Sequence, residues 1–139
     1  MEMQQPTIAV IFASSLTGKT RKTGKYIAEG LGADLFDLKK QTIINISGYR
    51  KIVFGTGIHN GKPYAPLVKF LEDNKDEIAK KKTSLYICCM YDDEKGENQC
   101  EKISEQLGIP NAVFFSGKGE KNEADFENIV DDFIAKQRV

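Results

Sequence analysis

A chain of 139 residues is long enough to bury one continuous core, and we read it as a single domain, 1–139. Lys plus Arg and Asp plus Glu each number 20, so no global field favours nucleic acid or an anionic membrane surface. No apolar run approaches the roughly 20 residues of a spanning helix. Residues 1–6 lack the basic start and apolar stretch of an export signal, so a cytoplasmic protein is expected.

Apolar runs alternate with stretches of helical period along the whole chain. Thr7 to Ala13 reads as a first buried strand. Thr20, Thr23, Ile27 and Leu31 then recur at helical spacing, with Gly24 on the same face and Gly30 and Gly32 as stop signals. Asp34 to Leu38 is a short strand. The polar stretch Lys39 to Gly48 has room for no more than a turn or two of helix before a third strand, Tyr49 to Gly55. Tyr64, Leu67, Val68 and Leu71 form one helical stripe, with Pro66 in the first turn, where its missing N–H costs nothing. Ile78 extends that helix, and Lys80-Lys81-Lys82 reads as its solvated end. Thr83 to Met90 is a fourth strand. Cys100, Ile103 and Leu107 mark a helix ended by Gly108 and Pro110, and Ala112 to Ser116 is a fifth strand. Phe126, Ile129, Val130, Phe133 and Ile134 form the apolar face of a last helix.

Strands that are apolar throughout imply a sheet covered on both faces, and alternation with helices implies right-handed crossovers between parallel strands. The expected fold class is therefore α/β, an open three-layer sandwich around a five-stranded parallel sheet. Ligands of such sheets bind beyond the carboxyl ends of the strands. Three loops lie there: Ser14 to Thr20, Thr56 to Tyr64, and Met90 to Asn98. Cys88, Cys89 and Cys100 include no C-x-x-C pair, and the single histidine cannot complete a usual zinc site, so buried reduced thiols are expected.

The first loop, Ser15-Leu16-Thr17-Gly18-Lys19-Thr20, joins a buried strand to a helix start. Backbone N–H groups and the dipole of a helix N-terminus favour an anion there, and hydroxyls add further bonds. Two owners fit. Ala13-x-x-x-x-Gly18-Lys19-Thr20 approaches the nucleotide P-loop, in which Lys19 would meet the β/γ-phosphates, Thr20 would hold Mg²⁺ and Asp92 or Asp93 would be the acid after the fourth strand. Against it, position one is Ala13 rather than Gly, and Ser15 and Thr17 add hydroxyls better suited to a phosphate held without metal.

The pattern Ser15-x-Thr17-Gly18-x-Thr20, followed by the other two loops in order, resembles the flavodoxin family. The resemblance implies a sheet of order 2-1-3-4-5 and non-covalent FMN. Ser15, Thr17 and Thr20 would donate hydroxyl bonds to the phosphate, with backbone N–H groups around Leu16, Gly18 and Lys19. Thr56, Gly57, Ile58, His59, Asn60 and Gly61 would pack one face of the isoalloxazine, with the Asn60–Gly61 peptide reorienting on reduction to bond N5–H. Met90, Tyr91 and Asp92 would cover the other face, with Tyr91 stacking. Asp92, Asp93, Glu94 and Glu97 read as a solvated acidic loop whose charge would disfavour the anionic hydroquinone. His59 is either a neighbour coupling potential to pH or a solvated loop residue.

The implied function is an FMN-dependent carrier of low-potential electrons. It would shuttle between redox proteins, ferredoxin-type or reductase, through the semiquinone and hydroquinone. No residue would act catalytically on a substrate. The second loop also resembles that of flavodoxin-like protoporphyrinogen oxidases through Gly55-x-x-Ile58 and Gly61, although the longer insertion of those enzymes has no counterpart. A flavin-dependent reductase subunit is a third option. The chain departs from the family in having no Trp, so that His59, Ile58 or Tyr64 must substitute, and in its neutral charge.

Overall fold

The computed structural model describes residues 7–14, 18–59, 61–88, 94–115, 121, 123, 126 and 128–138. Five parallel strands, β1 (Ile8–Ala13), β2 (Asp34–Asp37), β3 (Lys51–His59), β5 (Lys82–Cys88) and β6 (Ala112–Phe115), lie in the order β2-β1-β3-β5-β6. This is the expected 2-1-3-4-5 order. It carries one addition: β4 (Lys62–Pro63) folds back antiparallel on the end of β3.

Side-chain alternation along the strands divides the core in two. Ile11, Ile52, Phe54, Leu85 and Ile87 face one side with Leu67 of α2 (Ala65–Asp73) and Ile103 of α4 (Glu94–Leu107). Val10, Phe12, Val53 and Tyr86 face the other with Ile27 of α1 (Lys19–Leu31) and Phe133 of α5 (Asn128–Gln137). Both faces are covered, which is why the strands read as unbroken apolar runs. Burying each large side chain contributes about 1.5–3 kcal/mol, so Phe54→Ala, at 0% exposure, would cost about 3–5 kcal/mol.

α1 buries Thr20, Thr23, Gly24, Ile27 and Ala28, an i, i+3, i+4, i+7, i+8 stripe. Gly24 permits a close approach to the sheet: a Cβ there would lie 2.5 Å from the Tyr86 hydroxyl and 3.3 Å from Phe12. Gly30 lies within the helix, and Gly32 alone ends it, with Ala33 N–H donating to Ala28 O at 2.9 Å.

Several expectations need correction. The Tyr64 stripe does not run on to Ile78. α2 stops at Asn74, whose side-chain amide donates to Phe70 O at 2.9 Å, and a separate turn, α3 (Lys75–Ile78), follows. Lys80-Lys81-Lys82 is not a solvated helix end. The Lys81 side chain is 5% exposed and donates to Tyr49 O at 2.6 Å, and Lys82 opens β5. The stretch 39–48 forms turns without helix, yet Ile44 and Ile46 dip into the core. Ile129 is 44% exposed, because the buried face of α5 is Val130, Phe133, Ile134 and Gln137. Phe126 precedes that helix and stacks on Tyr26 at 4.1 Å. Cys88 and Cys100 are buried and in no disulfide, and no group of His, Cys, Asp or Glu among the described residues is placed to hold a metal. No helix among them is long and apolar enough to cross a membrane.

Candidate functional site

Strand register brings the three loops together. Ala13 pairs with Thr56 and Thr56 with Ile87, so β1, β3 and β5 reach their carboxyl ends in one row. Between β1 and β3 the strand order reverses, the place where open α/β sheets leave a crevice for a ligand.

On the β1 side, Gly18 is the N-cap of α1 at φ 73°, ψ 5°, a left-handed conformation natural to glycine. It provides no side-chain cap, and no acidic residue occupies the first turn. The first amides of the helix and its positive dipole end are thereby left to an external anion. Lys19 is half-buried and Thr20 is buried at 3% exposure, both in that first turn. Ser15, Leu16 and Thr17 lie outside the described residues.

A buried tyrosine fixes this helix end. The Tyr86 hydroxyl donates to Thr20 O at 3.0 Å. Its ring lies so close to β3 that a Cβ on Gly55 would fall 2.1 Å from Cζ, while Gly24 makes room on the helix side. Burial, then the neighbouring Cys88 and Asp37, push the Tyr86 hydroxyl well above its ordinary pKa, so it is a neutral donor. Cys88 Sγ lies 3.9 Å from Thr23 Oγ1 on the same face.

On the β3 side the expected loop is a continuation of the strand. Thr56, Gly57, Ile58 and His59 are strand residues, and Ile58↔Pro63 and His59↔Lys62 form a hairpin. Two residues are left between the paired ends, of which Gly61 has φ 75°. Asn60, and with it the peptide we expect to reorient, lies outside the described residues. Thr56 is fully buried; its hydroxyl donates to Gly57 O at 2.9 Å and accepts from Tyr64 N–H at 3.1 Å. The accepted bond ties the strand to the start of α2, and the hydroxyl proton is engaged within the strand. Gly57 makes room for Tyr64, since a Cβ would fall 2.6 Å from its hydroxyl. Of the three candidates to replace a tryptophan, Tyr64 lies against the end of β3, Ile58 packs on the core, and His59 is exposed at the hairpin.

After β5 the expected loop is shorter than its assignment. Met90, Tyr91, Asp92 and Asp93 lie outside the described residues, but Glu94 to Asn98 are already helix α4. Glu94 and Glu97 are acidic residues in the first turn of a helix, a favourable place for them, rather than part of a solvated loop. Sequence reading missed the Tyr86 socket and the strand pairing that flanks residues 60–61. Two glycines inside an otherwise apolar strand, Gly55 and Gly57, were the available signal, since such glycines mark close approach.

Residues 10–130 match the family model described as a flavodoxin domain. The chain belongs to that family. It is a flavodoxin-like, flavin-binding protein. An uncharacterized protein of Methanocaldococcus jannaschii is 36% identical over 80 residues, 57% of this chain and 51% of that protein, so the matched stretch spans about half of this relative's length. Oxidised flavodoxin 2 from Bacillus cereus superposes with a TM-score of 0.61 at 18% identity, covering 92% of this chain and 98% of that one. A flavoprotein from Lactobacillus acidophilus in complex with FMN does so at 0.58 and 14%, covering 78% and 91%. At these identities the two structures share the fold.

Proposed function

We propose that this flavodoxin domain binds FMN and carries low-potential electrons, one at a time, between redox proteins such as ferredoxin-type proteins and reductases. The observation that carries the reading is the glycine-capped, uncapped-by-side-chain start of α1, placed beside the β3–β4 hairpin at the point where strand order reverses. A dianionic phosphate monoester fits that helix end in charge and donor supply. Ser15, Thr17 and Thr20 would hold it with their hydroxyls, together with the amides near Leu16, Gly18 and Lys19. The hairpin through Thr56, Gly57, Ile58, His59, Asn60 and Gly61 would wall one side of the ring and keep water from it, with Met90, Tyr91 and Asp92 opposite. Thr56 would act by holding the hairpin on Tyr64 and not by touching the ligand.

The flavin supplies the redox chemistry when bound, while the protein binds it, orients it and sets its electrostatic surroundings. The complex of FMN with the Lactobacillus acidophilus flavoprotein favours FMN over a dinucleotide flavin. The test is the visible spectrum of the purified protein during stepwise reduction. Flavin bands followed by a long-wavelength band of the one-electron-reduced form are expected. A colourless protein that rejects added FMN but binds Mg-ATP would overturn the reading.

A further inference from the structure

At the opposite end of the sheet, a cleft of about 840 Å³ opens at the amino ends of β1, β3 and β5. Its walls are the 79–82 connection and the end of α5, and six cations line it: Arg50, Lys51, Lys80, Lys81, Lys82 and Arg138. Among the described residues Glu77 is the one carboxylate in that lining, and it lies 3.5 Å from Lys80 and 3.6 Å from Lys81. In a chain whose charges cancel overall, this concentration of one sign is local.

The arrangement sets like charges side by side. Lys51 and Lys82 are register partners on adjacent strands, and like charges placed directly opposite destabilise a sheet. The strain registers on Lys51, whose pKa is lowered by burial and then by the charge of Lys82. Three of the cations are held on backbone carbonyls: Lys51 on Gln137 O at 2.6 Å, Lys81 on Tyr49 O at 2.6 Å, and Arg138 on Gly30 O at 2.8 Å. Arg50 and Lys82 have no ion pair or side-chain hydrogen bond among the described residues. Attraction to a helix C-terminus accounts for Arg138, at the end of α5. It does not account for cations at the starts of β3 and β5.

We propose that this cleft is a second anion site, which takes a small molecule bearing two or more phosphate groups. Its volume lies in the range of small-molecule pockets. Guanidinium and ammonium donors converging from several elements match clustered phosphate oxygens. The site is separate from the flavin crevice, since Lys51 and Thr56 on β3 are about 17 Å apart at about 3.3 Å per strand residue.

The experiment is calorimetric titration of FMN-loaded protein at low salt with inorganic tripolyphosphate and, in a parallel arm, with ATP free of Mg²⁺. Loading occupies the phosphate site at α1, so the signal comes from elsewhere. The comparison is an Arg50→Gln/Lys82→Gln variant. Saturable one-to-one binding is expected, weakened roughly tenfold or more for each cation removed. The ligand should raise the unfolding temperature of the parent protein but not of the variant, which on its own should be no less stable than the parent. Equal affinity in the two arms assigns the phosphates as the recognised group, and tighter ATP assigns a nucleotide. Three results overturn the proposal: no saturable binding, binding unchanged in the variant, or displacement of tripolyphosphate by a poly-glutamate peptide of equal charge concentration. Because the variant localises the site, failure here is distinguishable from failure to bind FMN.

Discussion

Replacing Gly55 by alanine adds one methyl group on the central strand of the sheet, and the structure gives that methyl no place to go. Its carbon would lie 2.1 Å from Tyr86 Cζ and 2.3 Å from Cε1 and the hydroxyl oxygen, whereas carbons in contact prefer about 3.5–4.0 Å. The ring, at 0% exposure, would have to move by more than an ångström, and Gly24 already marks the limit of the space on the α1 side. Overpacking of this kind costs about 1–3 kcal/mol. Loss of the bond to Thr20 O adds about 0.5–1.5 kcal/mol. A destabilisation of about 2–4 kcal/mol follows, seen as a fall of roughly 5–15 °C in unfolding temperature for a domain of this size. Without the clash, Gly→Ala in a strand interior should stabilise by about 0.5–1 kcal/mol, so the sign is itself a test. Urea unfolding followed by circular dichroism, repeated in a Tyr86→Leu background, isolates the contact. There the alanine should be tolerated, giving a coupling of about 1–3 kcal/mol. A stabilising Gly55→Ala, or an equal cost in both backgrounds, would refute the seating of Tyr86 over β3.

Gly18→Val is expected to weaken FMN binding at least tenfold and to cost about 1–2 kcal/mol of stability, because a β-branched residue would have to adopt φ 73° at the helix cap; fluorescence titration of apoprotein with FMN measures the first effect. Gly61→Val, at φ 75°, is expected to bring the two flavin reduction potentials toward each other; unchanged potentials in a redox titration would remove the 60–61 peptide from the mechanism. Tyr49 donates to Asp34, and burial, then that bond, push its hydroxyl from 10.0 up to about 12. Its folded-state pKa is raised, so its contribution is fully present below pH 10 and is lost as pH rises toward 12, where the unfolded chain releases the proton first. Tyr49→Phe should therefore flatten the decline of stability over that window.

The sheet was legible because its interior strands are buried on both sides, so that Ala9 to Ala13, Ile52 to Phe54 and Leu85 to Cys88 stand out as apolar runs. Strand order was legible through the resemblance and not through the pattern. The hairpin was not, because Thr56-Gly57-Ile58-His59 has neither a run nor an alternation, and its strand character comes from pairing with β1, β5 and β4. The start of α4 was hidden for a related reason. Its first turns bury only Gly96 before Cys100, and a glycine gives no apolar signal. Ile44 and Ile46 reach the core as isolated residues in a turn-rich connection, a placement that no periodicity encodes.

Local rules of strand design are broken at two places on β3, and each lies at one end of the sheet. Gly55 and Gly57 weaken a central strand, yet each makes room for a tyrosine that fixes an element of the candidate crevice: Tyr86 the first turn of α1, Tyr64 the start of α2. Lys51 opposite Lys82 sets like charges together at the other end, where Lys51 is held on Gln137 O. Departures from local consistency in natural proteins concentrate where a site needs them. The glycines meet that expectation on the ring contacts alone. The lysine pair meets it only if an anion completes the cleft, and so the titration of that cleft also tests whether β3 has one functional end or two.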